Sequence, residues 1–154
     1  MNVIWYYIHH KQHRCPKSTL RRATTTDTYF QSYFFYQWLK FKQLCLEGKP
    51  WEVEPQLQRY VLGAILRLGK PWFEVDYVFF PINVKDYHWC LGMLDLPNWN
   101  MFFFDSVREL EHNPRVSDAT RPISRMLAFV LNSVDYFAQK KDLVEKKDKP
   151  LRIC

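Results

Sequence analysis

Two neighbouring stretches of this chain hold the residues whose types could do acid–base chemistry together. Tyr87–Leu96 (YHWCLGMLDL) and Trp99–Phe104 (WNMFFF) are apolar and aromatic, with a turn signal at Pro97-Asn98-Trp99 between them, so they read as the arms of a hairpin. His88 lies early on the first arm and Asp105 follows the second, which puts both at the same end of the hairpin. A carboxylate there can accept from one imidazole nitrogen, fix the tautomer, and leave the other nitrogen to take a proton from a nucleophile. That arrangement suits a Cys–His–Asp hydrolase, in which His draws the proton from a thiol and the thiolate attacks a carbonyl. Each residue also has a plainer reading. A strand histidine is more often a hydrogen-bonded core or surface group, and an aspartate before Ser106 commonly caps a turn.

The third member of such a triad is harder to find. Cys154 is the one cysteine after Asp105, but it is the last residue given, with no glycine after it and no helix to activate it. A carboxylate on the same residue would oppose thiolate formation, so Cys154 is not expected to be the nucleophile. Cys90 lies two residues from His88 on the same strand face, where packing beside Trp89 is its expected role. Cys15 and Cys45 fall in helical sequence with nothing tying them to the site. With no C-x-x-C pair, the four cysteines argue against zinc ribbons and fingers and read as free thiols. His9 and His13 are four apart and could share a helix face, yet no third ligand stands at matching spacing, so no metal is expected. His112, in a loop beside Asn113-Pro114, has nothing to distinguish it.

The elements that must position these groups follow from pattern. Residues 1–13 can form a helix ended by Pro16, and RRATTTDTYF reads as a loop in which Thr26 or Asp27 caps an aromatic-rich helix over 28–44. Gly48 and Pro50 close that helix, residues 54–66 are short helical or mixed sequence, and Gly69-Lys70-Pro71 is a break. Phe73–Pro81 (FEVDYVFFP) reads as a buried strand, followed by the two strands at 87–96 and 99–104, an antiparallel meander. After a polar loop with Pro114 and Pro122, apolar residues at 123, 127, 130, 131 and 134 predict an amphipathic helix on the sheet. Helices, then strands, then a helix give the α+β class: an antiparallel sheet flanked by helices.

At 154 residues, 47% apolar and 18% aromatic, the chain is expected to form one packed domain. Its parts would be a helical part over 1–70, a strand part over 73–106, a helix over about 121–139 and a basic tail over 140–154. The net charge of +6 is concentrated in KSTLRR and KKDLVEKKDK, which read as solvated ends, so nucleic acid is not an expected partner. No apolar run approaches the roughly 18 residues that span a bilayer, and the N-terminal charges follow the apolar stretch, the reverse of a secretory signal. A soluble, intracellular monomer without a cofactor is the expectation.

WFEVDYVFFPINV, HW, LGMLDL and MFFFDS in this order resemble the ubiquitin-like-protein proteases, the SUMO-specific cysteine peptidases of papain-related (adenain-type) fold, and most closely the divergent plant versions, many carried by transposable elements. Trp72, Asp76, Pro81, Asn83, His88, Trp89, Asp95, Asp105 and Ser106 carry the pattern, with RRATTTD and KPW upstream, over residues 3–140 or so. The resemblance implies that His88 is the general base and Asp105 its orienter. It implies that Trp89 lies beside a cleft that admits the Gly-Gly tail of a ubiquitin-like modifier, glycine having no side chain to clash. The implied reaction is cleavage after those glycines, and the implied compartment is the nucleus or cytoplasm. The family's nucleophile follows in an element like Gln…Asp-Cys-Gly, which the 154 residues do not contain. The expectation is therefore a catalytic domain that lacks its C-terminal part and is inactive, or else a non-catalytic binding module or a decayed transposon-derived fragment.

Overall fold

A computed structural model describes residues 22–84, 88–104 and 114–154. The expected meander is there: β2 (Tyr77–Val84), β3 (His88–Asp95) and β4 (Asn100–Phe104) pair antiparallel, with Val84 opposite His88, Asp95 opposite Asn100 and Leu91 opposite Phe104. It forms the centre of a five-stranded mixed sheet in the order β1-β2-β3-β4-β5. The two edge pairings are parallel, β1 (Ala23–Thr25) against β2 and β5 (Arg152–Ile153) against β4.

Alternation along the strands decides what faces what. Val78, Phe80, Ile82, Val84, Cys90 and Leu94 are buried on one face, with Met101 from β4 beside Leu94. That face meets α1 (Phe30–Leu46) and α3 (Pro114–Asn132), with α2 (Pro55–Val61) packed between the two helices. Buried residues of α3 recur at Val116, Ala119, Ile123, Met126, Leu127, Val130 and Leu131, the stripe of a helix lying on a sheet. Phe30 is the hub of the core, its ring 5.2 Å from Phe34 and Tyr60, 5.6 Å from Phe80 and 5.8 Å from Trp72.

Gly92 explains how the Phe80 ring lies flat across the sheet. The two residues are partners across β2 and β3, and a Cβ on Gly92 would come within 2.4 Å of the tip of that ring. Phe80 is fully buried against Phe30 and has nowhere to swing. Gly92→Ala is expected to destabilise the domain by about 1–3 kcal/mol through overpacking, read as a fall in the urea midpoint. An unchanged midpoint would mean the core yields at this point.

The first strand of the meander begins at Tyr77 rather than Phe73, Trp72–Glu74 forming a 3-10 turn. Three further segments differ from the sequence reading, each for a non-local reason. The ATT of the supposed loop is β1: Thr26 N–H donates to the Phe79 carbonyl at 2.9 Å and extends the pairing past Thr25. The last helix begins at Pro114 rather than near 121, with Pro122 inside it. Proline removes the helix bond that would reach the Asp118 carbonyl, but burial of Val116, Ala119 and Thr120 outweighs that loss. Residues 140–154 are not a solvated tail. After a short helix, α4 (Tyr136–Gln139), they form a 3-10 turn over Lys141–Lys146 and then β5, with Leu143 and Leu151 buried. Leu151 N–H donates to the Ser124 carbonyl at 3.0 Å, and Ser124 Oγ–H donates to the Leu151 carbonyl at 2.7 Å. Trp99 Nε1–H reaches the Lys149 carbonyl at 3.1 Å. Among the described residues no helix is long and apolar enough to cross a membrane.

Candidate active site

His88 opens β3, directly opposite the end of β2, and is half-buried. By strand alternation it shares the helix-covered face with Cys90, while Trp89, 43% exposed, points to the other face. Phe104, the last described residue of β4, is 51% exposed and pairs with Leu91, three residues from His88. Asp105 and Ser106, which follow Phe104, lie outside the described residues, as do His9, His13, Cys15 and His112.

The strand end that faces His88 is held by a residue that sequence reasoning passed over. β1 stops at Thr25, so the outer edge of β2 beyond Phe79 has no strand partner among the described residues. Pro81 offers no N–H on that edge, and both backbone groups of Asn83 bond one side chain, Gln31 of α1. Asn83 N–H donates to Gln31 Oε1 at 2.7 Å, and Gln31 Nε2–H donates to the Asn83 carbonyl at 3.2 Å. The same amide group donates to the Ala119 carbonyl of α3 at 3.1 Å. The Gln31 amide thus bonds the edge of β2 as a strand's peptide unit would, and ties α1, β2 and α3 together one residue from Val84, the partner of His88. It is 4% exposed. The signal in the sequence was its place in the helical stripe Gln31-Phe34-Trp38-Phe41, where an amide must find partners if it is buried.

Two matching acidic residues serve the other end of the meander. Asp76 receives a fork from Arg22, Nε–H to Oδ2 and Nη2–H to Oδ1 at 2.8 Å, which raises the Arg22 pKa. Its backbone joins β1 to the hairpin, with Asp76 N–H on the Arg22 carbonyl at 2.8 Å and Leu96 N–H on the Asp76 carbonyl at 2.9 Å. Asp95 accepts from the Asn98 backbone at 3.2 Å and its side-chain amide at 2.9 Å, folding the Leu96–Trp99 turn. That turn places Trp99 at φ 59°, held there by burial and its bond to Lys149. Asp27 also differs from the simplest expectation. It accepts from Tyr29 N–H at 3.0 Å, in the turn before α1, and from the Tyr60 hydroxyl.

Cys90 is buried within β3, and Cys45 is exposed near the end of α1. Cys154 follows β5, its N–H on the Met101 carbonyl at 2.9 Å. On the β4–β5 register Cys154 falls beside Phe102, which faces Met93, two strands across and five residues along from His88. At 4.8 Å between strands and 3.3 Å per residue, that is roughly 19 Å from His88. Among the described residues no three His, Cys, Asp or Glu side chains group as metal ligands.

The sequence model for the Ulp1 protease family, C-terminal catalytic domain, matches residues 1–149. The chain belongs to the Ulp1 protease family. No curated protein sequence matches it. A solved structure titled SUMO protease Ulp1 with the catalytic cysteine oxidized to a sulfenic acid aligns at 16% identity and a TM-score of 0.44. The alignment covers 99% of this chain and 52% of that one, so the chain spans about half the length of that protein. Membership of the Ulp1 family agrees with the α+β class read from the order of elements, and makes this a domain of the cysteine peptidase type.

Proposed function

We propose that this chain carries the base and orienter of a thiol peptidase that releases a ubiquitin-like modifier after its terminal Gly-Gly. In this reading His88 takes the proton from the attacking thiol, and Asp105 accepts from the other ring nitrogen and holds the tautomer. Trp89 borders the cleft that takes the glycine tail. The observation that carries the reading is His88 at the start of β3, half-buried opposite Val84, in a chain matched to the family's catalytic domain over residues 1–149. On the same reading the protein works in the nucleus or cytoplasm, as a monomer.

The 154 residues by themselves are proposed not to turn over conjugates, since a triad without its nucleophile falls to residual rates and Cys154 stands far from His88. Binding is the activity expected of them. The exposed aromatic face of Trp89 and Phe104 favours a second reading, a non-catalytic module that holds the modifier. Calorimetry with a SUMO-type modifier ending in Gly-Gly separates the possibilities. Binding is expected to weaken at least tenfold on Trp89→Ala and to be unchanged on Cys154→Ser; no binding up to millimolar modifier would sink both readings. Release of coumarin from a modifier–coumarin conjugate is expected to stay at the buffer rate, and turnover abolished by Cys154→Ser would overturn the assignment of that residue. The role of Asp105 is read by long-range ¹H–¹⁵N spectra of the histidines. His88 is expected in a single tautomer that becomes mixed in Asp105→Asn, and an unaltered spectrum would remove Asp105 from the site.

A further inference from the structure

A groove of about 610 Å³ runs between the C-terminal half of α1, the α3 surface and the approach to β5. It shares no residue with the His88 end of the sheet. Its floor is apolar: Trp38 and Phe41 stack at 5.9 Å, and Phe129 closes on Phe41 edge-to-face at 5.3 Å. Its lip is Leu46, 90% exposed, with the exposed Leu39 two helical turns back along α1 and outside the groove's lining. Four cations line it, Lys42, Arg121, Arg125 and Lys149, against one carboxylate, Asp148. Lys42 sits 5.3 Å over the Trp38 ring, and Arg121 is 3.9 Å from Asp118. Arg125 makes no ion pair among the described residues.

An apolar floor under a rim of one sign is complementary to a chain segment with the opposite pattern. The α3 wall from Arg121 to Phe129 is about 12 Å long at 1.5 Å per residue, the length of roughly two helical turns. We propose that this groove docks a short acidic amphipathic helix of a partner protein, with apolar anchors at i, i+3 or i+4 and i+7 over the aromatic floor and carboxylates against the four cations. The site is independent of the peptidase reading, since it uses no residue of the meander.

The test uses the full chain and two fluorescein-labelled 14-residue peptides, followed by anisotropy. Both carry leucines at the stated spacing; one has glutamate at its polar positions and the other lysine. The acidic peptide is expected to bind at least tenfold more tightly than the basic one, and to weaken several-fold between 50 and 500 mM salt. The exposed double reversal Arg121→Glu/Arg125→Glu, and separately Leu46→Glu, should each cost at least tenfold while the melting temperature holds. Equal binding of the two peptides, full binding by either variant, or none at 1 mM peptide would overturn the proposal. So would a concentration-dependent dimer of the free protein that Leu46→Glu abolishes, because the groove's occupant would then be a second copy.

Discussion

Replacing Gln31 by leucine is expected to remove about 3 kcal/mol of stability, because the half-buried backbone groups of Asn83 and the carbonyl of buried Ala119 lose their bonds to its amide. Leucine nearly matches glutamine in size, so the loss measures polar satisfaction rather than volume. Each buried group left without a partner costs about 1–3 kcal/mol. For a domain of this length that corresponds to a fall in melting temperature of roughly 6–12 °C. The Asn83 amide should exchange with solvent much faster than its neighbours Ile82 and Val84. A shift below 1 °C with normal Asn83 protection would mean that water replaces the amide without cost.

Gln31→Glu makes the argument more specific. Its carboxylate could still accept from Asn83 N–H, but it would face the Asn83 and Ala119 carbonyl oxygens in place of a donor. Burial and those oxygens would raise its folded pKa above the ordinary glutamate value of about 4.3. A raised folded pKa gives stability that is present below the ordinary value and lost as pH rises through the folded one. This variant should therefore approach the wild type near pH 4 and resemble Gln31→Leu at pH 7. A gap that stays constant over that range would show that the carboxyl has reached solvent.

The sheet's centre and both long helices were legible because their own residues carry the pattern. Tyr77–Val84, His88–Asp95 and Asn100–Phe104 alternate or run apolar, and residues 123–131 hold a helical stripe. The rest depended on partners far away in sequence. Ala23–Thr25 is a strand only because β2 offers an open edge, and nothing in three short residues announces that. The charged run after residue 140 concealed the buried Leu143 and Leu151, and the bonds of Trp99 to Lys149 and of Ser124 to Leu151 make an apparent tail part of the sheet. At the site, His88 stood out by type, whereas Gln31 did not: a buried amide is indistinguishable in sequence from one on a helix surface until its partners are known. Asp27 was visible as a helix-start residue, but its second partner, Tyr60, lies 33 positions on.

That Asp27–Tyr60 contact, with Tyr136, predicts how the domain fails in alkali. Tyr60 is 4% exposed, and burial, reinforced by its bond to the Asp27 carboxylate, pushes its phenol far above the ordinary tyrosine value. Tyr136 is 1% exposed, and burial, with the negative charges of Asp142 and Asp76, does the same there. In both cases the neutral form is favoured by folding, so their stabilisation is complete below the unfolded pKa of about 10 and lost as pH rises beyond it. Each phenol then lowers stability by up to about 1.4 kcal/mol per pH unit, giving a combined loss of roughly 3 kcal/mol between pH 8 and pH 11. Tyr60→Phe/Tyr136→Phe should start lower at pH 8, since it forfeits the hydrogen bond to Asp27, yet lose about 3 kcal/mol less over the same interval. Equal losses in the two, measured by urea unfolding at each pH, would mean that the phenolates form in the native state, with the Asp27–Tyr60 contact open to solvent.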